Sequence, residues 1–238
     1  MAGLTTGGPN VDVSLLYGIN GLARRAPAWF DRAVAPAAEY GVPLALVLLI
    51  LWCWHSGRRQ DEATAVETFT ALVWAPLAAG LALLVNVPLR EFVGRPRPFR
   101  QHEGLQVLDP GLGAALTRTD FSFVSDHTTL AMALGVGLFV ANRRLGLIGI
   151  GLALAEGLCR VYMGVHYPTD VIGGLALGTA VVLLLAPLAS ALLTPVVRAV
   201  AGSPRIGRIV RAKDRTVSCP VGLAPAAGPR TRESDLAA

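Results

Sequence analysis

Residues 168–193 read PTDVIGGLALGTAVVLLLAPLASALL. After the aspartate in the third place, no charged side chain interrupts the run from Val171 to Leu193. A helix rises about 1.5 Å per residue, so about 20 apolar residues cross a hydrocarbon core of about 30 Å. The stretch is therefore predicted to be a membrane span that begins at Pro168 or Thr169.

Working outward, four more stretches approach the same length. One runs from about Tyr40 to Trp54, and a second from Val66 to Leu89, with Pro76 expected to kink it. A third starts near Ser125 and continues through AMALGVGLFVAN, and a fourth is LGLIGIGLALAEGLCRVYM, which ends at Arg160 and its neighbours. Apolar residues make up 53% of the chain and charged ones only 16%, too little charge to dress the surface of a soluble domain rich in such runs. The expected fold is all-α: a polytopic membrane helical bundle of about five transmembrane helices, preceded by N-terminal interfacial helices. Glycine recurs in the third, fourth and fifth spans, and small residues let membrane helices approach closely, so these three are predicted to form the inner group.

Three segments follow. Residues 1–39 carry Asp12, Asn20, Arg24, Arg25, Asp31, Arg32 and Glu39 among apolar residues at helical spacing, which predicts helices lying in the interface. No Lys or Arg occurs in the first ten residues and no short apolar run with a cleavage site follows, so a secretory signal peptide is not expected. Residues 40–197 hold the spans. Residues 198–238 are basic, then rich in Pro, Gly, Ala and Ser, and predicted to be disordered after about Lys213. Much of the net charge of +5 lies in this tail, which fits anionic lipid rather than nucleic acid. Cys53, Cys159 and Cys219 form no disulfide framework and no zinc spacing.

The arginines between spans set an orientation. Arg58 and Arg59, Arg143 and Arg144, and the group from Arg198 to Lys213 all fall on one face, which the positive-inside rule makes cytoplasmic. The loop from Arg90 to Val124 and the link from Tyr162 to Asp170 then lie on the opposite, extracytoplasmic face.

That face collects the polar residues a membrane protein keeps only for a purpose: Arg90-x6-Arg97-Pro98, Ser125-Asp126-His127, and Arg160-x5-His166-x3-Asp170. Arginine presents a planar fork of donors suited to phosphate, and histidine can act as nucleophile or proton carrier near neutral pH. Gly94 should break the second span's helix. The Arg-Pro-Arg-Pro run at 95–98 should be extended, so that Arg90 and Arg97 flank one anion. Ser125 is placed as the N-cap of the third span, aiming backbone N–H groups at the same space. Asp170 should reach the His166 imidazole across one turn and hold its tautomer. Each residue alone has a plainer role, as a snorkelling anchor, a cap or a structural hydrogen bonder. Two histidines and an aspartate could also ligate a metal, although the arginines around them would repel a cation. The conjunction of seven residues on one face reads as a phosphoryl-transfer site. Glu156 is expected to partner Arg160. Asp126 could tune His127 or hold a cation that accompanies a diphosphate. Arg95, Arg100 and Arg118 could contact a head group, but are read as solvated loop charges.

These blocks resemble the signature of the phosphatidic acid phosphatase type 2 superfamily, Lys-x6-Arg-Pro, Pro-Ser-Gly-His and Ser-Arg-x5-His-x3-Asp. Arg90, Val124, Asp126 and Cys159 depart from it. The Ser-Asp-His-Thr-Thr block and Arg-Pro-Arg-Pro-Phe resemble the bacitracin-resistance branch, whose members are undecaprenyl-diphosphate phosphatases. The resemblance implies a lipid diphosphate substrate, a site on the outer face of a bacterial cell membrane, and no metal or cofactor. It also implies roles. His166 would be the nucleophile, Asp170 would orient it, and His127 would act as acid and base, while Arg90, Arg97, Ser125 and Arg160 bind phosphate. A phosphatase of lipid phosphomonoesters and a non-catalytic scaffold or transporter are the alternatives.

Overall fold

The computed structural model of the chain describes residues 10–108 and 121–211. Helix α1 spans Val11–Ala23 and is capped by Asn10, whose Oδ1 accepts from the Asp12 N–H. Helices α2 (Ala28–Pro36) and α3 (Val42–Gly57) are joined by a π-helical turn at Ala37–Gly41. Pro43 has no N–H for the Glu39 carbonyl, so the α-register cannot run unbroken through this stretch. Helix α4 covers Glu62–Val93, with Asp61 as cap and Gly94 in the left-handed conformation (φ 59°) ending it. Short α5 (Pro98–Gln101) precedes α6 (Asp126–Ala141), α7 (Arg143–Tyr162) and α8 (Pro168–Gly202). No strand occurs among the described residues, only an isolated bridge between Pro96 and Phe121.

The molecule is arranged around α6, which packs on α7, α4 and α8. Thr128, Thr129 and every residue from Ala131 to Leu138 are buried. A Cβ on Gly146 would sit 2.0 Å from the Phe139 Cα, and one on Gly137 would lie 2.5 Å from the Ala75 Cβ, so these helices touch backbone to backbone. Ala75, Ala78, Ala79 and Ala82 give α4 the same kind of face, and α4 thus joins the predicted inner group. Large side chains point outward instead. Leu84 is 69% exposed, Leu184 77% and Leu147 61%, as suits a lipid-facing surface.

Three boundaries differ from the sequence reading. Ala28–Gly57 forms one helical run of 30 residues, long and apolar enough to cross a membrane, and it passes through residue 39 without a break. Its two carboxylates are matched inside the protein, with Asp31 accepting from the Tyr162 hydroxyl at 2.7 Å. Helix α6 has 16 residues, about 24 Å, and falls short of the length that the other four long helices reach. It is walled in by α4, α7 and α8, so the bilayer thickness does not set its length. Helix α8 continues past Leu193 through Pro195 to Gly202, and the chain then folds back. Arg211 Nε donates to the Ala201 carbonyl at 2.5 Å, and Trp54 Nε1 donates to the Ile209 carbonyl at 2.9 Å. The predicted disorder beyond Lys213, Cys219 and Arg118 lie outside the described residues.

Candidate active site

The C-terminal ends of α4 and α7 and the N-terminal ends of α6 and α8 converge at one end of the bundle. Helix α7 closes with Arg160 in its last turn, Gly164 (φ 71°) reverses the chain, and Tyr167 caps α8. The Tyr167 N–H donates to Asp170 Oδ2 at 2.9 Å and the Asp170 N–H returns to the Tyr167 carbonyl at 3.0 Å, which locks the aspartate in the first turn.

His166 Nδ1 lies 3.0 Å from the Ser122 carbonyl oxygen and 3.6 Å from Asp170 Oδ2. A carbonyl can only accept, so this bond puts the proton on Nδ1 and leaves the Nε2 lone pair bare. The expected imidazole–carboxylate hydrogen bond is thus replaced by a backbone one. Asp170 stays close enough to act through its charge. Burial pulls the His166 pKa below its ordinary value; Asp170 opposes this, and the cations of Arg97 and Arg160 reinforce it.

Asp170 is fully buried, and its other oxygen accepts from Arg95 Nη1 at 3.0 Å. Arg95 also donates to Asp12 Oδ2 at 2.5 Å and Thr169 Oγ1 at 2.6 Å, and its guanidinium carbon stands 3.6 Å from the Tyr167 ring centre. Burial of Asp12 would raise its pKa, but hydrogen bonds from Arg95 and Thr169 win and hold it below the usual carboxylate range. The reading of Arg95 as a solvated loop charge is therefore corrected. In an extended chain residues i and i+2 share a face, so Arg95 belongs with Arg97, and that periodicity was the available signal.

On the other side, His127 Nε2 lies 3.3 Å from Glu39 Oε1. Glu39 Oε2 accepts from Arg160 Nη1 at 3.1 Å, and Arg160 Nε donates to Glu156 Oε1 at 2.6 Å, the expected partner. Arg160 Nη2 is buried and has no hydrogen-bond partner among the described residues, so it remains a donor open to a ligand. Glu39 comes from the π-turn, far away in sequence, and the sequence reading assigned it no part in the site. A carboxylate at the head of the run from Val42 to Trp54 was the signal available.

Ser125 holds the N-cap position of α6 and is buried, yet its side chain does not cap the helix. Its Oγ accepts from Thr128 Oγ1 at 3.1 Å, and its N–H donates to the Asp170 carbonyl at 3.2 Å, tying α6 to α8. Asp126 forms an ion pair with Arg90 and accepts from Asn86 Nδ2 at 2.6 Å, so it faces α4 rather than His127. Buried Asn86 also donates to the Val124 carbonyl at 3.0 Å and accepts from the Val124 N–H at 3.3 Å, fixing the chain as it enters α6. Arg97 caps the short α5 in extended conformation.

The arrangement offers one bare imidazole nitrogen, a second imidazole, and guanidinium groups around them. That is the equipment for attack on phosphorus with fixed positive charge for its oxygens. Among known proteins the chain is 28% identical to undecaprenyl-diphosphatase BcrC of Bacillus subtilis over 165 residues, 69% of this chain and 77% of that protein. It is likewise 28% identical to the putative undecaprenyl-diphosphatase YbjG of Escherichia coli over 171 residues, 71% of this chain and 78% of that one. The crystal structure of Aquifex aeolicus LpxE superposes with a TM-score of 0.57 at 20% identity, covering 77% of this chain and 99% of that one, which shows a shared fold. Residues 70–192, from α4 through most of α8 and including both histidines and Asp170, match the profile of the PAP2 superfamily, and the chain belongs to that superfamily.

Proposed function

We propose that this membrane phosphatase hydrolyses the terminal phosphate of a polyprenyl diphosphate of the undecaprenyl type, through a phosphohistidine. The observation that carries the reading is the Ser122 carbonyl on His166 Nδ1, which presents Nε2 as a nucleophile beside the Arg97 and Arg160 cations. The names of the Bacillus subtilis and Escherichia coli relatives support the choice of substrate.

His166 Nε2 attacks the terminal phosphorus while the bridging P–O bond breaks. His127 gives its proton to the departing polyprenyl phosphate, then takes one from water. That water attacks the phosphohistidine, the P–N bond breaks, and inorganic phosphate leaves. Arg90, Arg97, Arg160 and Ser125 bind the phosphoryl oxygens, whose charge in the transition state needs fixed donors. Asp170 stabilises the charge that His166 acquires. Three guanidinium groups supply the positive charge, and no metal takes part. The site faces the extracytoplasmic side, where a spent lipid carrier is recycled for cell-wall synthesis.

The test is phosphate release by the purified protein in detergent with EDTA, comparing a long-chain prenyl diphosphate with phosphatidate. Release from the diphosphate that resists EDTA and is abolished in His166→Ala is expected. Preference for phosphatidate would move the enzyme to lipid phosphomonoesters, and no release from either would overturn the enzymatic reading. For orientation, a cysteine at exposed Glu103 should react with an impermeant thiol reagent in intact cells and one at Arg59 should not; the reverse pattern rejects the recycling role.

A further inference from the structure

Glu39 stands apart from the three motif blocks. It sits in the π-helical turn Ala37–Gly41, 88 residues from His127 and 121 from Arg160, yet touches both. Each of its oxygens is held: Oε1 by His127 Nε2 at 3.3 Å, and Oε2 by Arg160 Nη1 at 3.1 Å. Its side chain keeps only 17% of its exposure. A carboxylate buried to this degree in a membrane protein is costly unless paired, and here it pairs with the proton carrier and with buried Arg160 rather than with a surface cation. The π-turn is what aims it, because the extra residue in the turn rotates the helix face that follows Pro36.

We propose that Glu39 is a positioning residue for the reaction, acting through His127. A carboxylate fixed at both ends restricts the imidazole it touches to one orientation, and it stabilises the imidazolium charge that His127 carries before it gives its proton to the leaving group and again after it takes one from water. This is the service an aspartate gives a histidine in a serine hydrolase triad, supplied here from the π-helical turn between α2 and α3. Arg160 has two jobs in consequence: it holds Glu39 with Nη1 and keeps Nη2 for the substrate. The inference rests on the phosphatase reading above.

The experiment is a double-mutant cycle on phosphate release from farnesyl diphosphate, using Glu39→Gln, His127→Ala and the pair together. Glu39→Gln should lower kcat by about 10- to 100-fold with KM within about threefold of wild type. In the His127→Ala background it should change kcat by less than about twofold, because the residue it acts through is gone. Glu39→Asp, which keeps the charge but retracts it, should fall between wild type and Glu39→Gln, and serves if the glutamine variant fails to fold. Multiplying losses in the double variant would overturn the proposal, as damage unrelated to His127. A raised KM at unchanged kcat would overturn it by assigning Glu39 to Arg160 alone. Tighter inhibition by inorganic phosphate at unchanged kcat would overturn it by making the carboxylate a stand-in for substrate. If His166→Ala leaves phosphate release intact, the phosphatase mechanism itself fails, a different result from additivity in the cycle.

Discussion

Placing a methyl group on Gly174 should separate packing from chemistry at this site. The glycine lies in the second turn of α8, where a Cβ would meet the Ser125 carbonyl oxygen at 2.9 Å, Thr129 Oγ1 at 3.1 Å and the Thr128 Cβ at 3.2 Å. The carbonyl cannot swing aside, since it already accepts from the Thr129 N–H at 2.9 Å and Oγ1 at 2.8 Å. Ordinary contact begins at 3.4 Å, so α6 and α8 must part by about 0.5 Å. That displacement breaks the 3.2 Å bond from the Ser125 N–H to the Asp170 carbonyl, and moves His127 and Ser125 away from His166 and Asp170. Overpacking costs about 1–3 kcal/mol and the lost hydrogen bond about 1 kcal/mol. Since a misplacement of about 1 Å can cost about a hundredfold in rate, about tenfold in kcat is expected for Gly174→Ala. The assay is phosphate release from a prenyl diphosphate alongside thermal unfolding in detergent. Gly151→Ala is the control, because nothing stands within 4 Å of its added Cβ, and it should retain full activity. A Gly174→Ala enzyme with kcat within about twofold of wild type and unchanged unfolding would refute the claim that the crossing of α6 and α8 sets the site.

Further outcomes follow from the same contacts. In the proposed mechanism His166 must be neutral to attack, and burial with the Arg97 and Arg160 cations holds its pKa below the ordinary value of about 6.5; the acid limb of kcat/KM should therefore lie below that value, and Arg97→Gln should move it upward. A limb that Arg97→Gln leaves in place, read from pH–rate profiles, would contradict this. Arg95→Ala strips the buried Asp170 of its cation and should destabilise the protein by about 2–4 kcal/mol, somewhat less than a wholly buried pair because Arg95 is a quarter exposed. Arg95→Lys should recover only part of this in thermal unfolding, as one ammonium cannot span Asp12, Thr169 and Asp170 together. Asn86→Leu removes three hydrogen bonds to Val124 and Asp126 and should cost about 2–4 kcal/mol and lower kcat, whereas an enzyme of unchanged stability would show that the chain entering α6 needs no such clamp.

The polar blocks were legible in sequence because their spacing is local. Gly94 ends α4 in the left-handed conformation that a glycine readily supplies, and Glu156 meets Arg160 across one helical turn. Asp170 likewise comes near His166 within four residues, but the imidazole prefers a carbonyl from 44 residues away. A backbone acceptor has no residue type to betray it, so no pattern could have named Ser122. The span boundaries misled for a related reason. A length rule assumes that each helix faces lipid, and α6 is buried in protein over most of its length, from Thr128 to Leu138. Hydropathy does not mark the start at Ala28, because Asp31 and Glu39 are too polar for a span unless partners inside the protein match them.

Hydropathy and short-range spacing act along the chain, and from them an all-helical membrane bundle, the order of its spans and the three polar blocks between them can be read directly. Only the tertiary structure decided which groups meet. Glu39 reaches His127 and Arg160, Arg95 reaches Asp170 and Asp12, and Asp126 turns to Arg90. Each pair joins charges from elements distant in sequence, and buried charges take the partners that packing brings within reach.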